Sequence, residues 1–134
     1  MPVLDTVVLF GALDKDDEHH EASVAHMRRL LPEVNDYWIA GFALFEFDVV
    51  MKSRGLSSDE RMENYALLLK DFPGVSEKTL KIGPGTLLLT AELEKNQGID
   101  YFDAGVASES LQKNGIVVST DRVFDKIPNL KRIW

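Results

Sequence analysis

Four carboxylates stand at positions where an apolar chain would normally carry Val or Leu. Asp5 interrupts an apolar run over residues 3–10, and Asp121 follows a run of β-branched residues. Glu46 and Asp103 lie among apolar residues of two predicted helices. An acid on a buried face is costly unless it is paired with a cation or bound to a metal ion. A divalent cation shared by all four acids is the simplest common explanation.

Composition limits the class of protein. A chain of 134 residues with 45% apolar residues suits one domain, which we expect to span residues 1–134. The sequence has no run of about 18 apolar residues, so no membrane span is predicted, and its first residues do not resemble a secretory signal. Cysteine is absent, which excludes disulfides and thiolate metal sites and fits a cytoplasmic protein.

The net charge of −7 and the isoelectric point near 4.9 argue against generic coating of nucleic acid, because proteins that hold phosphates through surface charge alone are basic. Divalent cations held by the four acids would reverse the local sign of the charge. Nucleic acid therefore stays open as a substrate that is approached through metal.

Apolar periodicity and capping residues predict strands that alternate with helices. The predicted helix starts include a capping box of Ser57 and Glu60, Pro84 as a first helical residue, and Asp100 as a cap. The predicted strands cover residues 2–9, 37–39, 116–120 and 130–134, and the predicted helices cover residues 17–31, 41–54, 57–72, 84–97 and 101–113. Residues 75–85 leave a further short strand open. This order indicates an α/β protein with a central parallel sheet of four or five strands between two helical layers, a three-layer α/β/α fold.

The predicted elements also fix which faces should be buried and where a site should lie. The inward stripes of two helices are predicted to be Phe42, Phe45, Val49 and Val50 in the first, and Met62, Tyr65, Ala66 and Leu69 in the second. Sites in parallel sheets lie beyond the carboxyl ends of the strands. Asp121 is at such an end, and Asp5 can be there only if the ordered part of its strand is short.

Four motifs in order give the chain a family resemblance. They are Val3-Leu4-Asp5-Thr6, Phe45-Glu46 closed by Arg54-Gly55, Tyr101-Phe102-Asp103-Ala104-Gly105, and Ser119-Thr120-Asp121-Arg122, the last followed by Ile127-Pro128-Asn129-Leu130. In this order and spacing the chain resembles the PIN-domain ribonucleases, small Mg²⁺- or Mn²⁺-dependent nucleases that include the VapC-type toxins of toxin–antitoxin pairs.

The resemblance implies an endoribonuclease that cuts single-stranded RNA, has a PIN-like fold, forms a homodimer and binds an antitoxin protein able to cover the site. Asp5 and Asp103 would bind the metal ion directly, and Glu46 and Asp121 would bind it directly or through water. Asp125 is a further candidate ligand. The residues expected to orient ligands or contact phosphate are Thr6, Thr120, Arg54 and Arg122.

Two departures from the family pattern leave an alternative open. The family often has Asn or Ser where this chain has Val7, and an acid where it has Val123; Asp125 could compensate for the second. A catalytically weak PIN domain that acts as an RNA-binding or assembly module is therefore the second hypothesis. Single acids also have structural interpretations: Glu46 could pair with Arg54 or Lys52, Asp103 could interact with a helix dipole, and Asp121 could cap a turn.

Overall fold

The central sheet consists of four short parallel strands, in a computed structural model that describes residues 1–134. The strands are β1 (Val3–Leu4), β2 (Trp38–Ile39), β3 (Ile116–Val118) and β4 (Lys131–Ile133), in the spatial order β2-β1-β3-β4. Val3 pairs with both Trp38 and Val117, so β1 lies inside the sheet. A single bridge between Ile39 and Thr79 extends the edge beyond β2.

Seven helices surround this sheet, and a 3-10 helix (Arg122–Lys126) precedes β4. The helices are α1 (Thr6–Leu13), α2 (His20–Arg28), α3 (Gly41–Ser53), α4 (Ser58–Asp71), α5 (Val75–Lys78), α6 (Pro84–Gln97) and α7 (Tyr101–Lys113). The result is a three-layer α/β/α arrangement with one cluster of 25 buried apolar residues. The predicted fold class is confirmed.

Several boundaries follow directly from local chemistry. Ser57 forms the predicted capping box with Glu60 at the start of α4. Pro84 stands in the first turn of α6, and Asp100 caps α7 by accepting a hydrogen bond from the Asp103 N–H at 3.0 Å. Gly98 ends α6 with a positive φ of 65°, a conformation that favours glycine.

The first strand is much shorter than predicted. β1 ends at Leu4, and Thr6 begins α1, whereas the sequence predicted a strand over residues 2–9. Val8 and Leu9 are buried inside the fold although they belong to a helix. A short, continuously apolar run has the same pattern in a buried helix as in a buried strand, so tertiary packing decided between them.

The predicted inward faces of α3 and α4 are right for Phe42 and Tyr65 and wrong for most of the other positions. α3 buries Phe42, Ala43, Phe47 and Met51, while Phe45 is 53% exposed and Val49 37% exposed. In α4 Leu68 is buried, but Ala66 is exposed, Met62 is 67% exposed and Leu69 is 50% exposed.

Asp48 of α3 explains the orientation of α4. Its carboxylate accepts hydrogen bonds from Arg61 Nε at 3.2 Å and from the Tyr65 hydroxyl at 2.7 Å. Arg61, Tyr65 and Leu68 follow one another at helical spacing and form the face that meets α3. Polar contacts with Asp48 thus help to set the inward face of α4 beside the buried Leu68, and an apolar pattern alone does not include them.

No helix in the structure is both long enough and apolar enough to cross a membrane.

Candidate active site

Asp5 lies at the carboxyl end of β1 and occupies the N-cap position of α1. An aspartate there usually accepts a hydrogen bond from the first turn of the helix, but Asp5 makes no such cap. Its Oδ2 instead accepts a hydrogen bond from the Ser119 hydroxyl at 2.7 Å, and the residue is only 6% exposed. Burial raises the pKa of Asp5 to about 6, against the opposing effect of the Ser119 hydrogen bond.

Glu46 lies half-buried in α3, where its Oε1 accepts a hydrogen bond from the Thr6 hydroxyl. Burial raises the pKa of Glu46, and the negative charges of Asp100 and Asp121 raise it further. Glu46 forms no ion pair with Arg54 or Lys52, since the Arg54 guanidinium lies over the Phe10 ring, 5.0 Å from its centroid. The structural interpretation of Glu46 as a paired helix acid is thereby removed.

Asp103 lies in the first turn of α7. Because α7 precedes the parallel strand β3, it runs against the strands and brings its first turn to their carboxyl ends. Burial is the main cause that raises the pKa of Asp103 to about 8, and contacts with Asp100 and the charges of Asp121 and Asp5 add to it. The direction of this shift is opposite to the effect of a helix N-terminus, which favours the anion.

Asp121 is exposed and connects the end of β3 to the 3-10 helix. Its N–H donates to Ser119 Oγ at 3.0 Å, and its Oδ1 accepts from the Val123 N–H at 2.9 Å. The turn-capping role that the sequence allowed is therefore observed. The same carboxylate also raises the pKa values of Asp5, Glu46 and Asp103, which places it within electrostatic range of all three.

The sheet order explains how acids so distant in sequence come together. β1 and β3 are neighbours, and the Asp5 N–H donates to the Val118 carbonyl at 3.1 Å. The carboxyl ends of these strands therefore deliver Asp5 and Asp121 to one edge, and two packed helices, α3 and α7, bring Glu46 and Asp103 to it. Gly105 permits close packing there, since a Cβ on it would lie 2.2 Å from the Phe42 ring.

The other predicted residues are distributed differently. Asp125 pairs with Arg132 through two hydrogen bonds, at 2.9 and 3.1 Å, and this partner lowers the pKa of Asp125. Thr6 is buried, Thr120 is partly exposed, and Arg54 and Arg122 are exposed. Asp125 thus already forms an ion pair, which none of the four acids above does.

Three further residues, two beside the acids and one at the start of α3, have roles that could not be seen in the sequence. Ser119 bridges Asp5 and Asp121, and Asp100, expected only as a cap, also acts electrostatically on Glu46 and Asp103. Glu109 is 2% exposed and accepts hydrogen bonds from the N–H groups of Gly41 and Phe42, both at 2.8 Å. The available signal for Glu109 was that Ala40-Gly41-Phe42 offers no capping side chain for α3.

The four acids fit a hard divalent cation in ligand type and charge. None of them forms an ion pair with Lys, Arg or His, and carboxylate oxygens are the ligands that Mg²⁺ prefers. In the present side-chain positions, however, no three Asp, Glu or His groups are placed to hold a metal ion together. Carboxylates without a cation repel one another. A shared cation would offset this repulsion and would require the side chains to draw closer to it.

The arrangement of strands and acids agrees with a comparison at the level of protein families. The family model described as PIN domain matches residues 3–130. The chain belongs to the PIN-domain family. The family prediction made from the four motifs is confirmed, and PIN domains are generally nucleases.

Solved structures share the PIN fold of this chain at low sequence identity. The crystal structure of FitAcB from Neisseria gonorrhoeae matches with a TM-score of 0.72 and 19% identity, covering 98% of this chain and 96% of that one. VapBC2 from Rickettsia felis, bound to a DNA fragment from their promoter, matches with a TM-score of 0.69 and 18% identity over the same shares, 98% and 96%. The crystal structure of PAE2754 from Pyrobaculum aerophilum matches with a TM-score of 0.61 and 17% identity, covering 97% of this chain and 88% of that one. No curated protein matches the sequence.

Proposed function

We propose that this PIN domain is a divalent-metal-dependent endoribonuclease that hydrolyses phosphodiester bonds of single-stranded RNA. One observation carries the proposal. Four carboxylates at one edge of the sheet form no ion pair, and the pKa values of Asp5, Glu46 and Asp103 are all raised. Such uncompensated acids are typical of functional sites and of cation-binding sites in particular.

Asp5 and Asp103 are the proposed direct ligands, and Glu46 and Asp121 would bind directly or through water. Mg²⁺ or Mn²⁺, when bound, supplies an activated water and neutralises the charge that develops on the scissile phosphate. Ser119 would hold Asp5 in position through its 2.7 Å hydrogen bond. Because Asp125 is already paired with Arg132, the proposed ligand set omits it.

The remaining predicted residues would act on the substrate or position a ligand. Thr6 fixes Glu46 through its hydroxyl, which donates to Oε1. Arg54 and Arg122 are exposed cations close in sequence to two of the motifs, and each could contact a phosphate. Thr120 follows Ser119 at the end of β3 and would present its hydroxyl at the same edge.

We also propose that the protein is the toxin of a toxin–antitoxin pair and acts in the cytoplasm, as the lack of cysteine led us to expect. The names of the structural matches FitAcB and VapBC2 support a protein partner of this kind, although their identity to this chain, 19% and 18%, is low. The expected antitoxin would cover the acidic edge and block access of RNA.

A catalytically weak PIN domain that binds RNA or assembles with partners is the second candidate. It is favoured by the absence of a group of three acids already placed around one point, by the pairing of Asp125 with Arg132, and by apolar residues at positions 7 and 123. This candidate predicts binding of RNA without cleavage.

Metal dependence is the direct test of the proposed nuclease. Purified protein is incubated with a labelled single-stranded RNA in Mg²⁺, in Mn²⁺ and in excess EDTA. We expect cleavage in at least one metal and none in EDTA, because the carboxylates alone provide no positive charge for the phosphate. Equal cleavage in EDTA would exclude the metal mechanism, and binding without cleavage in either metal would favour the second candidate.

The proposed homodimer is based on exposed apolar side chains of α4 and α6. Their exposed fractions are 67% for Met62, 48% for Leu67, 50% for Leu69, 45% for Leu87 and 64% for Leu88. Surplus apolar surface of this kind marks protein contacts, and small chains most often use it in two-fold dimers. Light scattering at micromolar concentration should give twice the chain mass of 15.1 kDa; a monomer would contradict the dimer.

A further inference from the structure

Two lysines lie over the ring of Trp38, toward the opposite end of α7 from Asp103, and a third, Lys81, lines an adjacent cavity. The Lys78 Nζ is 3.7 Å from the centroid of the Trp38 ring, and the Lys113 Nζ is 4.4 Å from it. Lys113 and Lys81 also line a cavity of about 270 Å³, together with Leu80, Glu109 and Gln112. Asp103 and Lys113 are ten residues apart on α7, so at about 1.5 Å per residue roughly 15 Å of helix separates this cluster from the acids.

No carboxylate forms an ion pair with the lysine cluster. Like the other lysines of the chain, these three form no ion pair; what sets Lys78 and Lys113 apart is that both ammonium groups lie at the same Trp38 ring. Asp36 acts on Lys78 from a distance but is held by Arg29. This concentration of unpaired positive charge stands out in a chain with a net charge of −7.

Glu109 is the only acid in the cavity wall, and both of its carboxylate oxygens are already engaged in hydrogen bonds. Both of its oxygens accept backbone N–H groups at the start of α3, at 2.8 Å each. Lys78, by contrast, is mostly buried along its side chain, and its ammonium group lies against the Trp38 ring without an ion pair. Burial lowers the pKa of Lys78, and repulsion from Lys113 lowers it further, as expected for cations held together without an anion.

The donors around the cavity indicate which anion would fit. Ammonium groups only donate hydrogen bonds. Gln112 Oε1 accepts from the Thr86 hydroxyl at 3.0 Å, which leaves the Gln112 amide N–H groups as further donors. A phosphate group offers several acceptor oxygens and more than one negative charge, whereas a carboxylate would compensate only one of the lysines.

We propose that Lys78, Lys81 and Lys113, beside Trp38 and Gln112, form a binding site for a phosphate group, either free phosphate or a phosphate in a nucleic-acid backbone. The site is separate from the acidic edge and does not depend on metal-bound carboxylates. Trp38 in the site also provides an internal spectroscopic probe, since the chain has only two tryptophans, Trp38 and Trp134.

The test uses the Trp134→Phe protein, in which Trp38 is the sole indole. Its fluorescence is titrated with sodium phosphate in EDTA, against sodium chloride at matched ionic strength. We expect a saturable change with phosphate alone, weakened at least tenfold by Lys113→Gln and by Lys78→Gln. Lys95→Gln and Lys126→Gln, which remove the same charge at exposed positions elsewhere, should leave the titration unchanged.

A phosphate titration that does not saturate, or that is the same in Lys113→Gln, would overturn the site. Lys113 is exposed, so this variant should keep the wild-type melting temperature and remain interpretable even if Lys78→Gln destabilises the fold. The readout involves no RNA cleavage, so its failure would leave the proposed nuclease function standing.

A second arm identifies the source of the phosphate. Binding of a single-stranded RNA to the Asp5→Asn protein is measured at several salt concentrations. If the site holds backbone phosphate, Lys113→Gln should lower the slope of log affinity against log salt by about one. If Lys113→Gln leaves this slope for RNA unchanged but abolishes the fluorescence response to inorganic phosphate, the ligand is free phosphate or a small phosphate ester.

Discussion

Asp5→Asn is expected to abolish metal-dependent RNA cleavage, with a loss of about 10³-fold or more in kcat/KM. Asn keeps the shape of Asp5 and can still accept the hydrogen bond from Ser119, but it removes the anion from the proposed ligand. A metal ion at a phosphate is worth several kcal/mol in the transition state, and each ~1.4 kcal/mol corresponds to tenfold in rate. Asp103→Asn should have a comparable effect. The measurement is single-turnover cleavage of a labelled RNA in saturating Mn²⁺.

Asp125→Asn is the matched control for this loss. It makes the same chemical change at an acid in the following 3-10 helix, but Asp125 is paired with Arg132 and lies outside the proposed ligand set. Its cleavage rate should stay within a few-fold of wild type. If Asp5→Asn and Asp125→Asn lose activity equally, or if neither does, the ligand assignment fails.

Asp103→Asn is expected to raise the melting temperature of the metal-free protein at pH 8 to 9. The folded-state pKa of Asp103 is raised from 3.8 to about 8, so the folded protein binds this proton more tightly than the unfolded chain does. The free energy of unfolding therefore falls as pH rises from about 4 to about 8. Asn cannot ionise, so the variant escapes this loss, and its advantage should disappear near pH 4.

This stability difference is measured by thermal denaturation in EDTA across pH 4 to 9 and again in Mn²⁺. Wild type should gain more from Mn²⁺ than the variant, because a cation relieves the repulsion and stabilises only the state that binds it. Asp125→Asn provides a control of opposite sign: Arg132 lowers the pKa of Asp125, so removing that charge should lower the melting temperature at neutral pH. An Asp103→Asn protein that melts below wild type at pH 8 in EDTA would show a structural role for Asp103.

Local chemistry was sufficient to predict much of the fold. Ser57, Pro84 and Asp100 set helix starts through interactions within one turn, and Gly98 ends a helix because it tolerates a positive φ. The alternation of strands and helices was enough to predict the parallel three-layer fold. Acids on apolar faces could be recognised because burying a charge without a partner is costly, whatever the surrounding topology.

Tertiary structure decided what depends on partners far away in the sequence. β1 ends at Leu4 because the apolar residues that follow are buried as a helix, and the orientation of α4 depends on Asp48. The sequence also could not show which acids form ion pairs. Arg132 pairs with Asp125, whereas Asp103 lies beside another acid, Asp100, and forms no ion pair. The sequence by itself thus determined the family, the layer architecture and the candidate acids. The fold alone decided which charges meet, because electrostatic interactions depend on distance in space and on burial rather than on spacing along the chain.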